Sequence, residues 1–209
     1  MGKLPRASQT EIMEHLRALL NDEAVIVTSQ VCEQLVNGES QDALRILKEF
    51  DQIIGGIGIH CRKPDEKLPG VYRALTYVEL PLHKSDPADS ARGMIVAAGG
   101  YLEDLIARGL GPEFFMQMLI NFKKAPLGAM VDLIRISIPS GLFDELKWFS
   151  GRVYNYAKHD FDADNRSDPI GDHYFGLDEG IAIYFIARIL GEELIKVSGV
   201  DHERIVAIS

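Results

Sequence analysis

The chain has 209 residues, 46% hydrophobic and 25% charged, with 31 acidic against 22 basic side chains and a formal charge of −9. That length can enclose one substantial core, alone or with an appended helical subdomain, and the hydrophobic share is that of a globular protein rather than a disordered segment. The acidic balance argues against a general nucleic-acid coat protein, whose affinity rests on Lys and Arg neutralising phosphates, while leaving room for a small local pocket of positive charge.

Taken in chain order, the punctuation is that of an all-helical protein. A first amphipathic helix is expected over Thr10 to Asn21, with Ile12, Leu16, Leu19 and Leu20 on one face. A second runs from Glu23 to Val36 and stops at Asn37-Gly38. Ser40 can cap a third, whose buried stripe is Leu44, Leu47, Phe50 and Ile54. Gly55, Gly56 and Gly58 then break the pattern, and Cys61 to Gly70 reads as a loop and subdomain boundary, with a short strand pair at Ile57–His60 and Leu75–Leu80 left open.

Ser85-Asp-Pro-Ala-Asp opens a long helix, with Pro87 in its first turn, that continues to Arg108. Gly93, Gly99 and Gly100 inside it each cost roughly 1 kcal/mol of propensity, which makes sense where another helix packs closely. Two helices fit Pro112 to Phe122 and Pro126 to Ile136, and Pro139-Ser140 opens the next. The last helix spans Asp178 to Ser198, and its run Ile181 to Ala187 is apolar on all sides, which places it centrally in the bundle. The domain reading is an N-terminal helical extension over 1–80 and a helical-bundle core over 81–209.

Cys32 and Cys61 are too few for a disulfide framework and read as two buried small hydrophobes. The segment Met1 to Ser8 has no apolar core of a signal sequence, and the run Ile181 to Ala187 falls far below the roughly 20 residues a bilayer requires. No membrane contact and a cytoplasmic location are therefore expected.

Chemistry concentrates in the helix from Ser140 to Lys158. Its core stripe is Leu142, Leu146, Phe149, Val153 and Tyr156; a second stripe of Trp148, Arg152, Asn155 and His159 lies about 100° away, at the border of core and solvent. A border position lets polar side chains line a groove or a subunit contact. An imidazole can take a proton from a ribose 2′-hydroxyl or give one to a leaving oxygen. A guanidinium about 10 Å along the same face can grip a phosphate. Two copies meeting on a two-fold axis would bring two such pairs around one substrate, with no metal.

Arg152, six residues, then His159 on the penultimate helix resembles the Arg-x(4–6)-His motif of the HEPN superfamily. So does Asn155-Tyr-Ala-Lys-His159 followed by a loop and an apolar final helix opening Leu177-Asp-Glu-Gly. The resemblance covers Ser85 to Gly199. It implies an up-and-down helical bundle, dimeric, with the motif facing the dimer cleft, and active members that are metal-independent endoribonucleases of toxin, defence and RNA-processing systems. Those members carry a polar residue directly after the arginine, where this chain has Val153. The expectation is a metal-independent endoribonuclease or an RNA- or nucleotide-binding relative, with Arg152 as phosphate clamp, His159 as general acid/base, Asn155 as orienting group, and Tyr154, Lys158 and Trp148 as auxiliary contacts. No cofactor is expected. The competing expectation is a non-catalytic helical protein that dimerises or binds a protein partner.

Two stretches of the sequence resemble metal-binding patterns. Asp160, Asp162, Asp164 and Asp168 copy the first half of an EF-hand loop, but the twelfth position is Gly171 where a bidentate glutamate is required. His159-Asp160 spells the central pair of HD-type phosphohydrolases, with His60 or His83 upstream and Asp178 or Asp201 downstream at spacings that do not fit well. His173, beside Asp172, reads as a surface histidine. No nucleophile elbow or phosphate-cradling glycine loop is present.

Overall fold

The computed structural model describes residues 5–54, 87–110, 126–159 and 174–198. The chain is an all-α helical bundle, and among the described residues there is no strand. Its elements are α1 (Gln9–Leu19), α2 (Asp22–Val36), α3 (Ser40–Ile54), α4 (Pro87–Leu110), α5 (Leu127–Ile134), α6 (Ser140–Trp148), a π-helical turn over Phe149–Tyr154 that leads into α7 (Asn155–His159), and α8 (Leu177–Ser198). The expected strand pair, the helix over 112–122, the acidic run of Asp160, Asp162, Asp164 and Asp168, and Cys61, His60, His83, His173 and Asp201 lie outside the described residues.

Local chemistry explains the helix ends. Ser8 caps α1 by accepting from the Glu11 N–H at 3.2 Å. The end of α2 is a Schellman motif: Gly38 sits at φ 81°, its N–H returns to Leu35 O at 3.1 Å, and the Glu39 N–H returns to Gln34 O at 2.8 Å. The Ala43 N–H already bonds Glu39 O at 3.0 Å, so Glu39 rather than Ser40 holds the cap position of α3.

The centre of the bundle is the pair α4 and α8, with α1 and α2 also packed on α8. Ile181 through Ala187 are fully buried, as an apolar-all-round helix requires. The run ends at Arg188, equally buried, whose guanidinium is held by the Glu192 carboxylate one turn on. One apolar cluster joins Ile12 and Leu16 of α1, Val27 and Val31 of α2, and Leu47 and Phe50 of α3 to α4, α5, the π turn and α8.

Three glycines mark where neighbours come very close. A Cβ at Gly180 of α8 would lie 2.9 Å from the Ala91 Cα of α4, one at Gly191 would strike the Tyr101 ring, and one at Gly99 would strike the Tyr154 ring. A Cβ at Gly100, by contrast, meets nothing within 4 Å. Gly180→Ala should therefore lower the unfolding free energy by about 1–3 kcal/mol through overpacking against backbone. Gly100→Ala should raise it by up to about 1 kcal/mol through helix propensity. Urea denaturation with unchanged slope checks both signs.

Candidate functional site

The helical run from Ser140 to His159 does not keep one phase. Leu146, Phe149 and Val153 are buried as expected, but within and after the π turn Ser150, Tyr154 and Ala157 are also buried, while Tyr156, expected in the core, is only half-buried. The cause is the wider turn: the Asn155 N–H reaches back five residues to Ser150 O, which shifts the downstream side chains around the axis.

The motif residues accordingly face two directions. Trp148 and Arg152 meet α1 and the extended segment before it. One carboxylate oxygen of Glu11 accepts from both the Trp148 indole N–H, at 2.9 Å, and the Arg152 guanidinium. Arg152 Nε donates to Pro5 O at 3.0 Å and Nη2 to Arg6 O at 3.4 Å, while its own carbonyl accepts from the Ala7 N–H at 2.9 Å. The Arg152 side chain keeps 26% exposure and the Glu11 side chain 23%, so the pair is partly withdrawn from water.

Tyr154 and Lys158 face α4 instead. The Tyr154 ring is buried over Gly99, and its hydroxyl accepts from Lys158 Nζ at 2.9 Å. Lys158 also bonds Glu103 at 3.2 Å. Burial pushes the Tyr154 phenol up against the opposing pull of the Lys158 ammonium. Burial works to lower the Lys158 ammonium, but the Tyr154 hydroxyl and the Glu103 carboxylate outweigh it and hold the group above the usual lysine value. Asn155 is half-buried at the start of α7, which His159 closes; the His159 side chain lies outside the described residues.

Around Glu11 the site extends to residues that the sequence pattern did not single out. His15 stacks on Trp148 with ring centroids 3.7 Å apart and planes 20° from parallel, and its Nδ1 lies 2.7 Å from a Glu145 carboxylate oxygen. A signal for them existed. Glu11 and His15 each precede a core residue of α1, Ile12 and Leu16, just as Glu145, Trp148 and Arg152 precede Leu146, Phe149 and Val153. Two border stripes at helical spacing lie against each other. Ser8 and Glu11 also have capping-box spacing, yet Glu11 carries its carboxylate to Trp148 and Arg152.

Among the described residues no three His, Cys, Asp or Glu side chains group so as to hold a metal ion, and no helix is long and apolar enough to cross a membrane. Cys32 is a free thiol, half-buried rather than sealed in the core, and burial together with the Asp178 carboxylate raises its pKa. A raised pKa makes it a poor nucleophile at neutral pH. No family model, curated protein or solved structure matches the chain.

Arg152 makes more of these contacts than Glu11 does. Arg152→Ala should cost about 2–3 kcal/mol, because it leaves the half-buried Glu11 carboxylate and two carbonyls without their guanidinium. Glu11→Ala should cost about 1 kcal/mol, since the carbonyl bonds survive, and a double-mutant cycle should give a coupling of about 0.5–1 kcal/mol after allowance for solvent screening. Arg152→Lys should recover less than half of the loss, because an ammonium cannot serve three acceptors spread over a planar fork. Chemical denaturation of the wild type and these four variants, the double variant included, measures all of these.

Proposed function

We propose that this chain is a non-catalytic helical interaction protein of HEPN-like architecture, in which Arg152 fastens the N-terminal segment to the bundle instead of gripping a phosphate. The observation that carries this reading is the use of the guanidinium. Its Nε, Nη1 and Nη2 are spent on Pro5 O, Glu11 and Arg6 O, and the nearest opposite charge is the chain's own carboxylate. A guanidinium neutralised in this way offers little to an anionic backbone, and the overall charge of −9 adds repulsion. Val153 directly after the arginine, fully buried, belongs to the same reading. Assembly with a second copy or a protein partner, in the cytoplasm, is the corresponding biological role.

A second reading, the metal-independent endoribonuclease, is favoured by one feature. Arg152 lies in a π-helical turn, a conformation that recurs at functional sites. In that reading Arg152 clamps the phosphate, Asn155 orients it and His159 moves the proton, and residues 5–11 must first leave the guanidinium.

An RNA-cleavage assay separates the two. On a mixed RNA pool in EDTA at high protein concentration, the wild-type chain should give no cleavage above that of an Arg152→Ala, His159→Ala double variant. Cleavage by the wild type that disappears in each single variant, with the fold intact by circular dichroism, would establish the enzyme instead.

A further inference from the structure

We propose that α1 and the segment before it are exchangeable between two copies of this chain, with Leu20-Asn21 as the hinge, so that the partner docked on the Trp148–Arg152 face can be a second molecule's Glu11 rather than the chain's own.

The argument begins at Asn21. It is the only non-glycine with positive φ among the described residues, at φ 143° and ψ −174°, a region that side chains other than hydrogen essentially never occupy. The local sequence permits a break there, since Asn21 is a favoured N-cap ahead of the acidic Asp22-Glu23, but it does not call for so strained a backbone. From Gln9 to Val36 the chain holds neither glycine nor proline, and Leu20 and Asn21 are compatible with a helix. The cap allows the break between α1 and α2, and docking α1 onto its own bundle holds it in the strained form. The Asn21 side chain steadies it by accepting from the Glu23 and Ala24 N–H groups at 2.9 and 3.3 Å. Released from that contact, α1 and α2 merge into one helix from Gln9 to Val36, about 42 Å long at about 1.5 Å per residue.

The docked face suits exchange. Beside the apolar Ile12 and Leu16, α1 and its leading segment are held by side-chain pairs of matched charge or polarity: Glu11 with Arg152, His15 with Glu145, and Arg6 with Glu179 at 3.0 Å. Each pair is made equally well by an α1 from another copy, so exchange forfeits none of them and removes the Asn21 strain twice per dimer. Short, strained hinges are the known route to swapped dimers.

Two variants at the hinge push in opposite directions. Asn21→Ala removes the cap that steadies the break and supplies the best helix former, so the dimer should tighten by at least about tenfold. Asn21→Gly relieves the positive φ and is a poor helix former, so the dimer should loosen by at least about tenfold. Sedimentation equilibrium reads both. A charge-exchange pair gives an independent test. Glu11→Arg and Arg152→Glu each set like charges against each other within one chain. An exchanged dimer of one copy of each satisfies both junctions, so co-refolding the two should yield a one-to-one heterodimer by native mass spectrometry. Absence of that heterodimer, together with a monomeric Asn21→Ala variant at the highest soluble concentration, overturns the proposal. A dimer indifferent to both Asn21 substitutions also overturns it, since association then runs through another face.

Discussion

One carboxylate organises the polar junction between the N-terminal helix and the helical run that carries Trp148 and Arg152. Glu11 receives the Trp148 indole and the Arg152 guanidinium on the same oxygen, and the stack of His15 on Trp148 closes the junction one turn further along. Partly withdrawn charges of this kind are satisfied or costly, with little between. Their pairing fixes how α1 lies on the bundle, which way Arg152 points, and what the motif is free to touch.

Beneath that junction the bundle is governed by α8. A helix that is apolar on every side must be enclosed on every side, so α1, α2 and α4 all pack on it. The approach of α4 is so close that Gly180 and Gly191 leave no room for a side chain, and on α4 itself Gly99 receives the Tyr154 ring. The π turn belongs to the same arrangement: it turns Tyr154 into that space, and Lys158 follows one turn later to bond the phenol and Glu103.

What was legible in the sequence is what depends on neighbours along the chain. The Asn37-Gly38 stop, Pro87 at the opening of α4 and the enclosed Ile181–Ala187 run all follow from local rules, and the structure has them where the pattern places them. The shared face of Trp148 and Arg152 was legible too, since both precede core positions. What faces them was not. Glu11 lies 141 residues from Arg152 in sequence, and no periodicity links two stripes that far apart. The π turn was equally hidden, because Phe149 to Tyr154 contains no residue that demands a wider turn, and the shift it causes shows in the burial of Tyr154 and Ala157 and the half-exposure of Tyr156, which was expected in the core.

The central claim is that the Arg152 guanidinium is committed to the N-terminal segment of this fold rather than open to a phosphate, and its Nε proton reports on this directly. In a nitrogen–proton correlation spectrum the Arg152 Nε–H should appear as a sharp resonance protected from exchange, because it is bonded to Pro5 O. It should not move when a short oligoribonucleotide is titrated in. A rapidly exchanging Arg152 Nε–H that shifts with added RNA would contradict the account, since the guanidinium would then be open and available to a phosphate.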